Sequence, residues 1–561
     1  MEMRWIFPPK EGSGAVQQVR SDFKLPRALS EVLVKRHHTG DNLSSFLSPR
    51  LGDLTAPELL PGTNEAADIL HQAIASKSNI VLYGDYDVDG VCSLALLQRV
   101  LRELGGQVSC FLPHRTEEGY GLTAEGVDRC LQELKPDLLV AVDCGTTSSE
   151  QVTRLRRSGV SVVVLDHHEP GSSPADTLIV NPKLRGQEYS YLCSAGVCFK
   201  VLHALLKSYG TDGIDLKDYL DLVAMATVAD IVPLVGENRI LVWRGLAQLT
   251  SSRWPGVREL ARVAGIEGTI ASSDVGFRLG PRLNAAGRLG TALDSLSLLL
   301  SDDVESAKAL ALRVDNQNRE RQSVEKGVAD EAELWVEAHF DPGRDLSIVA
   351  GGREWHQGVV GIVAARIARR HHRPTIIVGF DQAGTGKGSC RSIEGLSLVD
   401  TLAECSSLLE RYGGHAMAAG ISISEGQFEP FRCAFERSVR ASTTSELFTP
   451  HLHLDAELPL AEIDDLFLTA QERLEPFGAE NLQPVFYSRN VVPLASPRVL
   501  KKKHRKYSFP CGRGRIDAIH FNGNEHPLPS APWDVAYRVS RNTYNGRSEP
   551  QLQVIAVRQS R

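Results

Sequence analysis

The sequence predicts an α/β protein: a parallel-sheet domain, a long connecting helix, a second α/β domain and a small C-terminal β-barrel. Three observations carry this. Short apolar runs rich in Val and Leu alternate with helical stretches in the first half. The segment from Val304 to His339 contains no Gly or Pro except Gly327. Many short strands separated by turns follow Pro450. Near-continuous apolar strands alternating with helices indicate a parallel sheet covered on both faces. A chain of 561 residues is also too long for one hydrophobic core, so several domains are expected.

Taken in order, residues 1–65 read as a loop-like N-terminal extension, and Ala66 to Ser76 has helical periodicity. In the first domain, 66–300, the apolar runs "NIVLYG" (79–84), "VSCFLP" (108–113), "DLLVAVDCG" (137–145) and "VSVVVLDHH" (160–168) are strands. Val91–Leu104 and Ala124–Leu134 are intervening helices. Residues 301–340 form the connecting helix, expected to bend or break at Gly327. The second α/β domain, 341–445, has strands "LSIVAGG" (346–352) and "PTIIVGF" (374–380) around a helix from Val359 to Arg370. In 446–561, runs such as "KYSFPC", "DAIHFNG" and "QLQVIAV" have the size and spacing of a small barrel.

Composition is that of a globular protein, 42% hydrophobic and 23% charged, and no apolar run approaches the ~18 residues that cross a bilayer. The opening "MEMRWIFPPKEGSG" lacks a signal-peptide core, and the ten cysteines contain no CxxC pair. Both point to a cytoplasmic protein with reduced thiols, and away from a disulfide framework or structural zinc. The net charge of −7 conceals a split. From Val491 onward there are 13 Lys and Arg against 4 Asp and Glu, while the preceding residues carry 49 against 65. An acidic body with a basic C-terminal module fits a metal site joined to a polyanion grip.

The acids are not scattered. "VLYGDYDVDG" places Asp85, Asp87 and Asp89 at every second position after an apolar strand, which on an extended segment turns them to one side. Asp143 ends the next strand but one, Asp166-His167-His168 ends another, and Asp230 ends the helical run 221–229. Ligands of open parallel sheets bind beyond the carboxyl ends of the strands. Carboxylates so crowded raise one another's pKa, and divalent cations relieve the conflict. Oxygen ligands with one or two imidazoles suit Mn²⁺ or Mg²⁺. Two such ions ~3.5–4 Å apart are the apparatus of in-line phosphodiester hydrolysis. "GTGKGS" (384–389) fails the GxxxxGK[ST] spacing, and no GxSxG elbow surrounds Ser194.

These residues resemble the motifs of the DHH phosphoesterase superfamily, and their wider succession resembles the RecJ family of single-strand-specific 5′→3′ exonucleases. "GDYDVDG", "VDCGTT", "LDHHEP" and "VADIVPL" match the first four motifs in order. "LGPRLNAAGRLG", "WHQGVVGIVAARIA", "KGSCRS", "GGHAMAAG" and "LEPFGAENLQPVF" continue the match, which covers the chain from about Ser45. Cys390 stands where the family commonly has Gly, and Tyr83 where some relatives have His. The resemblance implies a DHH catalytic domain, a DHHA1-type domain and an oligonucleotide-binding (OB) barrel. It implies metal ligands Asp87, Asp89, Asp143, His167 and Asp230 with Asp85 close by, and His168 directed at the scissile phosphate or leaving group. For the 5′-phosphate and DNA backbone it implies Arg115, Asn284, Arg288, Ser389, Arg391 and His415. The small residues of "GGHAMAAG" suggest a helix start.

The implied activity is release of 5′-mononucleotides from single-stranded DNA in repair and recombination, by a monomer with two Mn²⁺ or Mg²⁺ ions. A single-strand-binding protein and a DNA helicase are the implied protein partners. In the basic module, "KKKHRK" (501–506) with Tyr507, Phe509, Phe521, Trp533, Tyr537 and Tyr544 supplies charge and stacking rings, about half of the rings being core. Two rivals share parts of the pattern: a phosphodiesterase for short oligoribonucleotides or cyclic dinucleotides, and a metal-dead replication scaffold. The long helix and barrel count against the first, the intact ligand set against the second.

Overall fold

A computed structural model describes all residues except 1–2, 10–12, 115–117, 120, 185–186, 211–212, 290, 513, 526, 545–546 and 561. Five parallel strands form the first sheet, in the order Gln107–Phe111, Asn79–Gly84, Leu138–Val142, Ser161–Leu165, Leu178–Val180. Alternation along the strands feeds two cores. Leu82, Val140 and Leu165 pack against one helical layer, and Val81, Tyr83, Leu139 and Val164 against the other. The strand order reverses between Asn79–Gly84 and Leu138–Val142, which opens a crevice at their carboxyl ends.

Val304–His339 is one uninterrupted α-helix of 36 residues, about 54 Å long. The expected break at Gly327 is absent. A mid-helix glycine costs about 1 kcal/mol against alanine, too little to stop a helix packed on both sides of it. Ala307, Ala311 and Val314 are buried at one end, and Val328, Ala329, Ala332 and Val336 at the other. The second α/β domain is a mixed sheet in which Ile348–Arg353 and Thr375–Phe380 run parallel, followed by antiparallel Thr385–Arg391, Ala418–Ser424 and Arg411–Gly414.

The C-terminal module is a seven-stranded sheet with Phe486, Tyr507, Phe509, Trp533 and Tyr537 in its core. Four of the six candidate stacking rings are therefore core. Phe521 is exposed, and the side chain of Tyr544 lies outside the described residues. The N-terminal segment is no loop. It forms helices Ser13–Phe23, Arg27–Lys35 and Gly40–Leu47, whose Leu29, Val32, Leu33 and Leu43 share the core of the C-terminal module. Leu29, Val32 and Leu33 have the i, i+3, i+4 spacing of one helix face. Strand Arg4–Ile6 adds parallel to His451–His453. No helix among the described residues is long and apolar enough to cross a membrane.

Arg239 ties these parts together. Buried, with its guanidinium 3.7 Å from the Phe46 ring centroid, it donates to the carbonyls of Phe46 (3.0 Å), Leu474 (3.2 Å) and Arg473 (3.3 Å). Burial pulls its pKa down to about 9, so it stays charged at neutral pH. Arg239→Ala strands these acceptors at about 1–3 kcal/mol each in general terms. A loss of about 3 kcal/mol in urea unfolding is expected, and a loss under about 1 kcal/mol would contradict the tie.

Candidate metal centre and adjoining phosphate pocket

Asp85 follows the Asn79–Gly84 strand, but the chain does not continue extended. Asp87 is the N-cap of helix Val88–Glu103, its carboxylate accepting from Gly90 N at 3.1 Å, and Asp89 lies in the first helical turn. The three acids thus converge by a strand–cap–helix turn, not by strand alternation, and the helix begins at Val88 instead of Val91. The adjacent residue type decided it, because Asp is a strong N-cap.

Asp143 ends Leu138–Val142 with φ +62°, a left-handed conformation that Asp tolerates better than most residues. Asp166, His167 and His168 follow Ser161–Leu165, and Asp230 is the C-cap of Leu220–Ala229. His167 Nε2 lies 3.5 Å from Asp143 Oδ1, 3.5 Å from Asp230 Oδ2 and 3.8 Å from Asp89 Oδ2. Three groups have ligand atoms mutually within 4.8 Å: Asp85, Asp87 and Asp143; Asp89, His167 and Asp230; Asp143, His167 and His168. Asp143 and His167 each belong to two groups. The expected ligands are brought together, in a donor set that suits Mn²⁺ or Mg²⁺.

Electrostatics agree with a cation site. Burial, then the charge of Asp87, raises Asp89 to about 6. Burial, then Asp89 and Asp87, raises Asp230 to about 8. Asp143 is pushed well up by burial and the neighbouring acids. His167 is pulled down to about 3 by burial and by His168, so it presents a neutral ring. For His168, burial is outweighed by the hydrogen bond and charge of Asp166, and its pKa is raised.

Asp166, placed at its strand end by the sequence but not among the expected ligands, and three residues the sequence did not assign, Thr146, Asn181 and Ser194, surround the cluster. Asp166 Oδ1 binds His168 Nδ1 at 2.8 Å and accepts from the amides of His167 and His168, while its Oδ2 accepts from Thr146 N and Oγ1. Asn181 donates to Thr146 Oγ1 and to His168 O. Ser194 opens helix Ser194–Tyr209: its Oγ donates to Asp143 Oδ1 at 2.8 Å, its amide donates to Asp89 Oδ2 at 2.7 Å, and Ala195 N donates to Asp89 Oδ1 at 2.9 Å. Asp166 was visible as the first residue of its motif. Ser194 and Asn181 carry no local signal, since they reach the site only through the fold. Tyr83 points away: it stacks on Phe111 and donates to Gly121 O.

A second group adjoins the cluster. Asn284 and Arg288, one turn apart on helix Gly280–Leu289, share a face. A Cβ on Gly287 would lie 2.8 Å from Tyr86 O, between Asp85 and Asp87, so this helix end touches the metal loop. Arg288 Nη1 donates to Gly358 O at 3.3 Å, and any side chain on Gly358 would collide with Arg288 O. Gly361 in turn abuts Ser389 Oγ and Arg391, and Arg391 Nη1 donates to Ser389 Oγ (2.9 Å) and Cys390 O (2.8 Å). Cys390 alternates to the other side and is buried with Ile376 and Ala419, so its replacement of the usual glycine leaves the Ser389–Arg391 face unchanged. "GGHAMAAG" is not a helix start. Gly413 and Gly414 pair with Gly420 and Ala419 in a β-hairpin whose tip carries exposed His415, and whose second strand flanks Ser389 and Arg391. Small residues here permit close strand pairing. Arg115 lies outside the described residues.

Comparison with known proteins follows the same division. Residues 79–227 match the DHH family N-terminal domain, 346–441 the DHHA1 domain and 454–556 the RecJ OB domain. The single-stranded-DNA-specific exonuclease RecJ of Bacillus subtilis (strain 168) is 34% identical over 565 residues, 99% of this chain and 70% of its own length. The same-named protein of Dickeya dadantii (strain 3937) is 36% identical, covering 95% of this chain and 96% of its own. The chain belongs to the RecJ family. The structure of RecJ in complex with Mn²⁺ from Thermus thermophilus superposes with a TM-score of 0.86 at 32% identity, covering all of this chain and 80% of that one. The Mg²⁺ complex from the same organism gives 0.80 at 30%. A RecJ-family chain accordingly has the predicted DHH, DHHA1 and OB architecture.

The raised carboxylates make a stability prediction for the metal-free protein. Above about pH 7, His167 is already neutral in the folded and unfolded states. Asp230, raised to about 8, then holds a proton in the folded chain that the unfolded chain has lost, and the upward shifts of Asp143 and His168 act in the same direction, so stability falls as pH rises. Thermal melts in EDTA should drop by several degrees from about pH 7 to about pH 8.5. Saturating Mn²⁺ should remove the drop, because the cation takes the place of the protons. A flat metal-free profile would argue against the crowded cluster.

Proposed function

We propose that this protein is a metal-dependent exonuclease that degrades single-stranded DNA from its 5′ end and releases 5′-mononucleotides. One observation carries the reading. The Asp/His cluster and the Arg288–Ser389–Arg391 group adjoin one another through the contacts of Gly287 with Tyr86, of Arg288 with Gly358, and of Gly361 with Ser389 and Arg391. In this reading residues 66–300 are catalytic, 301–340 connect, and 341–445 bind the terminus. Residues 446–561, packed with the 1–65 extension, grip the strand.

Asp85, Asp87, Asp89, Asp143, His167 and Asp230 would hold two Mn²⁺ or Mg²⁺ ions. When bound, such ions neutralise charge on the phosphodiester and favour attack by water. The chain supplies the rest. Asp89 is fixed by two amides and Asp143 by Ser194, so the ligands need not reorganise. Asp166 aims His168 and favours its protonated form, which suits a donor to the phosphate or to the leaving oxygen. Arg288 and Arg391 offer planar donor forks, and Ser389 a hydroxyl, to a terminal phosphate. A phosphate fixed there fixes the distance to the cut, so the product is one nucleotide long. The substrate in the relatives' name, single-stranded DNA, supports the same assignment.

A strand labelled at its 5′ end should yield labelled mononucleotide at the earliest times, while a ladder shortening from the 3′ end would exclude this polarity. Arg391→Ala should lower kcat/KM on 5′-phosphorylated ends by about 1.5–3 kcal/mol, the worth of a charge-assisted contact, and much less on 5′-hydroxyl ends. A uniform loss on both ends would remove Arg391 from the pocket.

The exposed turn Lys501–Lys503 joins strands Arg498–Leu500 and His504–Cys511. Replacing its three lysines with Glu should weaken binding to long single strands. It should also flatten the log–log salt dependence by roughly 0.7 per lost phosphate contact. An unchanged slope would take this turn off the DNA path.

A further inference from the structure

We infer that Asn181 is a positioning residue for His168, acting through a one-way chain of hydrogen bonds that passes Thr146 and Asp166. The inference rests on the exonuclease reading above, in which His168 gives a proton to the leaving oxygen, and it names what aims the ring.

Three neighbouring strands of the first sheet end at this point. Thr146 lies just past Leu138–Val142, Asp166 directly follows Ser161–Leu165, and Asn181 directly follows Leu178–Val180. All three residues are buried, whereas the side chain of His168 is 43% exposed. A ring that exposed is not held in one rotamer by packing, so its direction comes from hydrogen bonds.

Chemistry fixes the sense of each bond. The amide of Lys183 can only donate, so the Asn181 atom it meets at 2.9 Å is Oδ1. His168 O can only accept, so the Asn181 atom 2.8 Å from it is Nδ2. The second proton of Nδ2 goes to Thr146 Oγ1 at 3.0 Å. Thr146 has a single hydroxyl proton, and Asp166 Oδ2 takes it at 2.6 Å. Asp166 Oδ1 in turn faces His168 Nδ1 at 2.8 Å. The carboxylate accepts there, so Nδ1 carries a proton, and any proton passed to substrate leaves from Nε2. Asn181 thus holds His168 at two points, at its carbonyl directly and at its ring through two residues. Side chains that merely fastened three strand ends would need neither this direction nor the return to one residue.

The reaction places a demand on that ring. The oxygen of water forms the new bond to phosphorus and sheds its proton to solvent. The bond from phosphorus to the 3′ oxygen of the first nucleotide breaks, and that oxygen takes the proton from His168 Nε2. His168 then regains one from solvent. A positioned acid contributes about 10²–10⁴-fold to such a step, and a small misplacement forfeits much of it.

The test measures single-turnover release of the first nucleotide by full-length protein with saturating Mn²⁺. Two 5′-phosphorylated strands are compared, one natural and one with sulfur in place of the 3′ oxygen at the first linkage. A thiolate leaves without a proton, so the sulfur strand bypasses the acid. Asn181→Ala should slow the natural strand about 10–100-fold and the sulfur strand by no more than about threefold. Thr146→Val, which keeps the shape and removes the hydroxyl, should show the same split. Mn²⁺ affinity, read by electron paramagnetic resonance, should be unchanged in both variants, and thermal melts verify that they are folded. A folded Asn181→Ala variant that slows both strands equally, or neither, overturns the positioning role, as does a large loss of Mn²⁺ affinity. His168→Ala separates this inference from the reading beneath it. If His168→Ala shows the split and Asn181→Ala does not, the positioning role alone falls. If His168→Ala slows both strands equally, the donor reading of His168 falls and the positioning role with it. Failure of the parent to release the first nucleotide at all overturns the exonuclease reading itself.

Discussion

Negative charge gathered at the carboxyl edge of a parallel sheet is the constraint on which the rest of this structure depends. Asp85, Asp87, Asp89, Asp143 and Asp230 converge where solvent is largely excluded, and burial compounds their mutual repulsion. The fold supplies partial relief. The N-terminus of helix Ser194–Tyr209 presents two amides to Asp89, a favourable end for an anion. Asp166 is stabilised as a carboxylate by the amides, hydroxyl and imidazole that surround it, which hold its carboxyl well below the usual range despite burial. The remainder stays uncompensated without protons or cations. Affinity for divalent ions and the stability of the domain are therefore two expressions of one electrostatic arrangement.

The cluster alone would hydrolyse phosphodiesters without choosing an end. In the proposed reading, selection of a terminus needs a second site at a fixed distance, and close backbone approaches hold the Arg288–Ser389–Arg391 group against the cluster. Gly287 lies on Tyr86, Gly358 on Arg288 and Gly361 on Ser389 and Arg391, a path crossing from the first domain to the second. The long helix holds the two domains in this relation. Arg282, on the Arg288 helix, donates to Asp315 of the long helix at 2.9 Å, so the helix that carries Arg288 is braced against the same rod that carries the second domain. Strand Thr385–Arg391 divides its residues between two tasks: Cys390 fills the core while Ser389 and Arg391, on the alternate face, meet Gly361.

Much of this was legible in the sequence because it depends on local patterns. Apolar runs gave the strands, and acids at their ends gave the cluster, since both follow from how a parallel sheet is covered and where its edge lies. The errors have identifiable causes. Alternation was carried through Asp87 and Asp89, although an Asp before an apolar stretch is also a helix cap, and the chain takes the cap. Gly327 and the small residues of 413–420 were read by propensity, which packing on the long helix and pairing in the hairpin override. The N-terminal helices were missed because their partner core lies more than 400 residues away, as the bond from Lys35 Nζ to Leu454 O illustrates. Ser194, Thr146 and Asn181 were illegible for the same reason: each is ordinary in its own segment and acquires a role only when strands and helices meet.

That long-range packing also alters what the C-terminal module is. Its core is completed by Leu29, Leu33 and Leu43 from the opposite end of the chain. It is fastened to the first domain by Arg239, by Leu234 with Ala479 and by Ser272 with Phe477. A grip domain on a flexible tether would raise the local concentration of DNA and nothing more. A domain fastened beside Asp230 does something different. Its position beside the acids is fixed by the bonds of Leu234 with Ala479 and of Ser272 with Phe477. Removing residues 446–561 would therefore uncover apolar surface on the N-terminal helices and strip the partners of Leu234 and Ser272 beside Asp230. The grip cannot be separated cleanly from the chemistry, and substitutions at exposed positions, which leave this shared core intact, are what can tell the two apart.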